Sequence, residues 1–212
     1  MCGIIGYIGK QQATPILLEG LRRLEYRGYD SAGFTILSQK KLLTRKKKGN
    51  IDEGLAHHVA SETLDGVVGM GHTRWATHGP PSDVNSHPHY DQSGRIAVVH
   101  NGLIENYERL KERMKGHQFQ SVTDTEVLAH LIGEHYEKGV KNNGSTDHPL
   151  AQAVMGALRE VIGAYGIAVM CSDFPDVIIG ARRGSPLIVG VGDGENFLCS
   201  DANASLPRSL GA

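Results

Sequence analysis

A cysteine directly after an initiator methionine has the makings of a catalytic residue. The chain opens Met1-Cys2-Gly3, and a side chain as small as that of Cys2 lets methionine aminopeptidase remove Met1. Cys2 would then carry a thiol of pKa about 8.5 and an α-amine of about 7.7–8.0, a nucleophile and a base on one residue. Taken alone, a Met-Cys start is equally the mark of a small buried cysteine. A second pattern, His100-Asn101-Gly102, follows an apolar run. At a strand end, the Asn101 side-chain amide and the Gly102 backbone N–H could aim two donors at one point, as the oxyanion of an acyl transfer requires. The plainer reading is an Asn-Gly turn. The block from His72 to Gly79 (His-Thr-Arg-Trp-Ala-Thr-His-Gly), followed by Asn85-Ser86-His87-Pro88-His89, supplies Arg74, a planar fork suited to a carboxylate. Trp75 beside it could cover a small ligand and exclude water. The four histidines of this stretch mix strand and loop positions and lack HExxH or paired CxxC spacing, so no metal site is expected. His72 and His100 are expected to satisfy hydrogen bonds near the core. Thr123-Asp124-Thr125-Glu126 serves either as a helix start or, through Asp124, as a seat for a ligand ammonium group.

The elements that must hold these residues can be read from periodicity. Gly3–Gly9 has strand character. Thr14-Pro15 starts a helix, with Thr14 as cap and Pro15 at the first helical position, and Leu17, Leu21 and Leu24 share one face of it. Strands follow at 32–37, 67–72 and 96–100. Helices are expected at 104–115, at 124–138 with a capping box from Thr123 to Glu126, and at about 150–161. Strands return at 165–171, 176–181, 187–191 and 196–199. Helices and strands come partly in groups, which argues for a layered α+β fold over a doubly wound parallel sheet. Arg45-Lys46-Lys47-Lys48 is expected on a solvated strand edge or turn, and Asn142–Asp147 in a surface loop.

Composition closes off several classes. The 212 residues fit one domain with a sizeable core. Lysine and arginine number 22 against 23 aspartates and glutamates, so there is no basic footprint for nucleic acid. No apolar run approaches the roughly 18 residues that span a bilayer, and no secretory signal is visible. Three cysteines, Cys2, Cys171 and Cys199, form no disulfide framework and suit a reducing cytosol, which places the protein in the cytoplasm. Glycine is in excess, 27 residues against a usual share of about 7%, and many of these lie at strand ends.

Taken in order, Cys2-Gly-Ile-Ile-Gly, Leu21-Arg-Arg-Leu-Glu-Tyr-Arg-Gly-Tyr-Asp-Ser-Ala-Gly33, the His72–Gly79 block, Asn85–His89, His100-Asn-Gly and Thr123-Asp-Thr-Glu closely resemble the glutaminase domains of glutamine–fructose-6-phosphate aminotransferases. These are class II, N-terminal-nucleophile glutamine amidotransferases. The resemblance implies a four-layer α/β/β/α sandwich of the N-terminal-nucleophile hydrolase type over residues 2–205, C-terminally truncated, with 206–212 departing from the family. It implies that Cys2 attacks the side-chain amide of L-glutamine, with its own α-amine handling the proton. It also implies that Asn101 and Gly102 form the oxyanion hole, that Arg74 takes the substrate carboxylate and that Asp124 takes its ammonium. Trp75, Thr77 and His78 would lie on a loop closing over glutamine, with Arg27 and His87 near the site. This chemistry needs no cofactor. The ammonia would pass to a sugar-phosphate isomerase domain that this chain lacks and that handles fructose 6-phosphate; a homodimer is allowed for the full-length protein. Two rival readings stay open: the same glutaminase serving a phosphoribosyl or nucleotide-sugar acceptor, or a non-enzymatic glutamine-sensing module.

Overall fold

Alternate residues of β1 (Gly3–Ile8) enter two different cores, because successive side chains of a strand point to opposite faces. Ile5 and Tyr7 face one way and Ile4 the other. A strand covered on both sides reads as a continuous apolar run, and Gly-Ile-Ile-Gly-Tyr-Ile is one. The computed structural model describes residues 2–76, 79–141 and 148–204. The expected surface loop 142–147 and the tail 206–212 lie outside the described residues.

After β1 come α1 (Ala13–Leu24), the β2 (Ser31–Ser38) and β3 (Lys41–Lys48) hairpin, a π-helical turn (Ile51–Ala56) leading into α2 (His57–Val59), and β4 (Val68–Arg74). Then follow β5 (His89–Tyr90), β6 (Ile96–Ile104), α3 (Tyr107–Arg113), α4 (Asp124–Lys141), α5 (Pro149–Glu160), β7 (Gly163–Cys171), β8 (Ile178–Arg183), β9 (Ile188–Val191) and β10 (Asn196–Cys199). Two antiparallel sheets result, in the orders β3-β2-β4-β1-β10-β9 and β5-β6-β7-β8. Leu17, Leu21 and Leu24 of α1, with Ile51 and Leu55 of the π turn, cover the outer face of the six-stranded sheet. Between the sheets lie Ile4, Val68, Met70, Ala97, Val99, Ala168 and Met170. Ile96, Val98, Ile167 and Val169 face the other way, onto Val127, Leu131, Leu150 and Val154 of α4 and α5. The layers are α/β/β/α, as the resemblance implies.

Several local expectations need correction. Helix α1 begins two residues early, with Gln12 as N-cap. The segment 64–66 meets its start: Ala13 N donates to Gly66 O at 2.7 Å, Gln12 Oε1 accepts from Gly66 N at 2.9 Å, and the Thr14 hydroxyl donates to Leu64 O at 3.3 Å. Thr14 is therefore inside the helix and not its cap. The expected helix 104–115 shortens to α3, because the β6–β7 ladder runs on through Gly102↔Tyr165 to Ile104↔Gly163. The Thr123–Glu126 box is half formed. Glu126 N donates to Thr123 Oγ1 at 3.3 Å, but the Glu126 carboxylate turns to Gln120 N and Ser121 N at 2.8 and 2.6 Å. The π turn and α2, which bury Ile51, Leu55 and Val59, fall where no element was expected. The basic cluster is on an edge strand, β3, as expected. It is anchored there: Arg45 pairs with Glu62, Lys47 with Asp83, and Lys46 Nζ donates to Val84 O.

Candidate active site

The polar residues singled out from the sequence continue the faces that line the space between the sheets. On β4 the period of two takes Val68 and Met70 on to His72 and Arg74. On β6 it takes Ala97 and Val99 on to Asn101, and on β1 it runs back from Ile4 to Cys2. Strand β1 is antiparallel to β4, with Gly3 opposite Thr73 and Ile4 opposite His72, so Cys2 emerges where β4 ends. The core that is apolar in its middle is polar at this end.

Cys2 is half-buried. Its Sγ accepts from Trp75 N at 3.2 Å and lies 3.6 Å from Trp75 O. Burial raises the thiol pKa; the Trp75 N–H and the charges of Arg74 and Arg27 pull it down. The Cys2 carbonyl accepts from Asn101 Nδ2 at 2.9 Å and from Arg27 Nε at 3.2 Å. Gly3 N donates to Thr73 Oγ1 at 3.1 Å and Ile4 N to Ser200 Oγ at 2.8 Å. The nucleophile candidate is thus tethered at its sulfur, its carbonyl and the two amides that follow.

Asn101 is buried and bonded at both ends of its amide: Nδ2 to Cys2 O, and Oδ1 to His72 Nε2 at 3.0 Å. Gly102 follows it, exposed, with φ +140°. A Cβ there would fall 2.0 Å from Ala164 O, so only glycine fits this turn of the strand. Arg74 is buried, with Nη2 3.5 Å from Gly79 O. Burial lowers its pKa, and the nearby negative groups of Cys2, Asp124 and Asp30 oppose that. Asp124 is also buried. Its Oδ2 accepts from Ile104 N at 2.9 Å and stands 3.8 Å from His100 Nδ1, so it ties the end of β6 to the first turn of α4. Trp75 exposes its ring, edge-on to Tyr29 at 5.5 Å. Arg27 Nη1 reaches Asp201 Oδ2 at 3.1 Å. His87 stands one layer behind, stacked on His72 at 4.1 Å, and accepts from His100 N through Nδ1 at 3.3 Å. Thr77 and His78 lie outside the described residues.

The structure therefore brings Cys2, Arg27, Trp75 and Asn101 into direct contact and sets Gly102 beside them. It sets Asp124 against His100 and stacks His87 on His72. It adds residues that sequence reasoning passed over. Ser200 and Asp201 follow β10 and reach the site only through the β1–β10 ladder, a pairing with no local signal. Asp30 accepts from Ala76 N at 2.8 Å and so holds the segment after Trp75. His72, expected only to fill a hydrogen bond, touches Asn101 itself. Among the described residues no group of three or more His, Cys, Asp or Glu is arranged to hold a metal ion.

Residues 52–144 match the glutamine amidotransferase domain family. The chain is 53% identical over 208 residues to a glutamine–fructose-6-phosphate aminotransferase (isomerizing) of Caldanaerobacter subterraneus, which covers 97% of this chain and 32% of that protein. It is 53% identical over 205 residues to the protein of the same name from Bacteroides thetaiotaomicron, over 95% of this chain and 32% of the relative. The chain thus spans about a third of the length of these relatives. Among solved structures, the glutamine phosphoribosylpyrophosphate amidotransferase of B. subtilis superposes with a TM-score of 0.78 at 29% identity, over 96% of this chain and 42% of that one. A glutamine aminotransferase class-II domain protein from Silicibacter pomeroyi shares the fold at TM-score 0.57 and 14% identity, over 93% of this chain and 88% of its own. With its two antiparallel sheets, its flanking helices and Cys2 at the head of β1, the chain has the fold that these solved glutamine amidotransferases share.

Proposed function

We propose that this chain is the glutaminase part of a glutamine–fructose-6-phosphate aminotransferase, comprising residues 2–205, and that it releases ammonia from the side-chain amide of L-glutamine. The observation that carries the reading is the contact between Cys2 and Asn101, residues 99 apart in sequence, whose carbonyl and amide meet at 2.9 Å at the polar end of the inter-sheet core.

With Met1 removed, the Cys2 α-amine takes the thiol proton, directly or through one water. That is a needed step, because burial holds the thiol proton on. The sulfur attacks the amide carbon, and a C–S bond forms as the carbonyl π pair moves to oxygen. The second N–H of Asn101 Nδ2, with Gly102 N–H, receives that oxyanion. The tetrahedral species collapses, the C–N bond breaks, and the leaving amine takes a proton from the ammonium of Cys2 and departs as ammonia. Water then adds to the thioester and expels the thiolate, giving glutamate. Arg74 pairs with the substrate carboxylate as a fork and Asp124 with its ammonium. Trp75, Thr77 and His78 cover the bound amino acid, Arg27 holds the Cys2 carbonyl, and His87 supports from behind.

The ammonia acceptor is fructose 6-phosphate on a sugar-phosphate isomerase domain outside this chain, and the full-length protein works in the cytoplasm. Among the described residues no helix is long and apolar enough to cross a membrane. The test is release of glutamate and ammonia from glutamine by the processed chain. Cys2→Ala should abolish it while leaving the urea midpoint unchanged. Hydrolysis persisting in Cys2→Ala, or full activity in protein shown by mass to retain Met1, would refute the assignment. Supplying fructose 6-phosphate to the full-length protein, against phosphoribosyl and nucleotide-sugar acceptors, tests the acceptor.

A further inference from the structure

His72 sits on β4 among buried neighbours, and the glutaminase chemistry gives it no part. Its Nε2 is 3.0 Å from His100 O and 3.0 Å from Asn101 Oδ1. A backbone carbonyl can only accept, so Nε2 must carry the ring proton. An Nε2–H facing Asn101 then requires the oxygen end of that amide. The other end faces Cys2 O, a second obligate acceptor, which requires the NH2. Two independent contacts fix the same amide orientation. The Nδ1 of His72 is buried without a hydrogen-bond partner, consistent with a lone pair there. Burial also depresses the His72 pKa to about 3, so the ring is neutral, and the two contacts of Nε2 set its tautomer.

Resting on the glutaminase reading, we propose that His72 is a positioning residue for the oxyanion hole: through Nε2–H it holds Asn101 Oδ1, so that one Nδ2–H stays on the Cys2 carbonyl and the other is free, in a fixed plane, for the developing oxyanion. An amide free to turn would present its oxygen to that charge in part of the population. The cost of such misplacement belongs to the transition state and therefore to kcat. His87, stacked on His72 at 4.1 Å, keeps the ring from tilting.

The experiment is steady-state glutamine hydrolysis by the processed chain and three variants. His72→Leu removes the donor and should lower kcat about 100-fold with KM changed by less than about threefold. His72→Gln, whose side-chain amide can again donate to Asn101, should recover kcat to within about tenfold of the parent. The double variant His72→Leu/Asn101→Ala should be no slower than Asn101→Ala alone, because the two residues act as one unit. Multiplying losses in the double variant, or a loss confined to KM, would overturn the proposal. Alkylation of Cys2 by iodoacetamide, a displacement with no oxyanion, should keep its rate in His72→Leu. A parallel fall there would show general damage and refute the positioning role. If His72→Leu does not fold, the imidazole nitrogen resonances of the unmodified chain decide: a protonated Nε2 and a bare Nδ1 are expected, and the opposite tautomer overturns the inference. A parent chain unable to hydrolyse glutamine would count against the glutaminase reading, with the tautomer still deciding this one.

Discussion

Four histidines buried between and behind the sheets should make this domain acid-labile as pH falls below the ordinary histidine value. His72, His87, His89 and His100 are each at most 5% exposed, and burial lowers the pKa of all four, His72 to about 3. For His87 a hydrogen bond adds to this: its Nδ1 accepts from His100 N, which a protonated Nδ1 could not do. In the unfolded chain each titrates near 6.5. Above that pH neither state binds the proton and stability is complete. As pH falls through 6.5 the unfolded state takes up protons that the folded state refuses, so stability drops by about 1.4 kcal/mol per pH unit for each histidine. The loss continues toward the folded-state values. At pH 5 the cost for His72, whose folded value is about 3, is about 2 kcal/mol against a usual domain stability of about 5–15 kcal/mol, and His87 and His89 act in the same direction. Glu62, Asp83, Glu160 and Asp201, all held below the ordinary carboxylate values, exchange their protons only at lower pH. Urea unfolding at pH 7.5, 6.5, 6.0 and 5.5 should therefore give a falling free energy whose slope steepens below 6.5. His89→Gln should make that slope shallower, because it removes one imidazole that burial holds neutral. A free energy level from pH 7.5 to 5.5 would refute the burial of neutral imidazoles in the core.

Asn101→Ala should lower kcat for glutamine by about 10²–10³, or about 2.7–4 kcal/mol, with KM little changed; His72 keeps His100 O and Cys2 keeps Arg27 as partners, so the fold should survive. A normal kcat with a raised KM would reduce Asn101 to a binding residue. Arg74→Ala should weaken glutamine by about 1.5–3 kcal/mol and abolish the parent's preference for glutamine over an analogue lacking the α-carboxylate, and an unchanged preference in competition assays would remove Arg74 from the carboxylate site. Gly33→Ala places a Cβ 2.2 Å from His87 O, backbone against backbone, and should cost about 1–3 kcal/mol or more in urea unfolding; an unshifted midpoint would contradict the packing of β2 on the His87 segment.

Much of the frame could be read from periodicity. The stripe Val127, Leu128, Leu131, Ile132 and Tyr136 marks α4, and Ile96–Val99 marks the middle of β6, because both are long, regular and buried. Boundaries failed where tertiary partners replaced local ones. Gln12 and Thr14 find their partners at Gly66 and Leu64, fifty or more residues away, so local capping logic misplaced the helix start. Asn106, at the head of α3, spends its side chain on Glu160 O and Ile162 N, a join between two distant loops. The π turn was invisible because Ile-Asp-Glu-Gly-Leu-Ala is short and carries a glycine that disfavours helix.

The candidate site was legible to a different degree for each residue, and strand pairing accounts for the difference. Cys2, Arg74 and Asn101 belong to three strands whose inward faces change from apolar to polar near one end, and that change is written in each strand by itself. Whether the three polar ends meet depends on direction. Strand β1 opposes β4, so the start of one must lie at the finish of the other, and β6 crosses above with Asn101 three places before its pairing with β7 ends. Given the pairing, Cys2 and Asn101 have to converge. His72 then follows as the β4 residue whose ring meets Asn101 Oδ1. Its type alone could not distinguish it from His100, a residue of the opposite face bonded to Thr125. The difference between a histidine that fills a core and one that orients a donor is a single pleat, two residues along β4 from Met70.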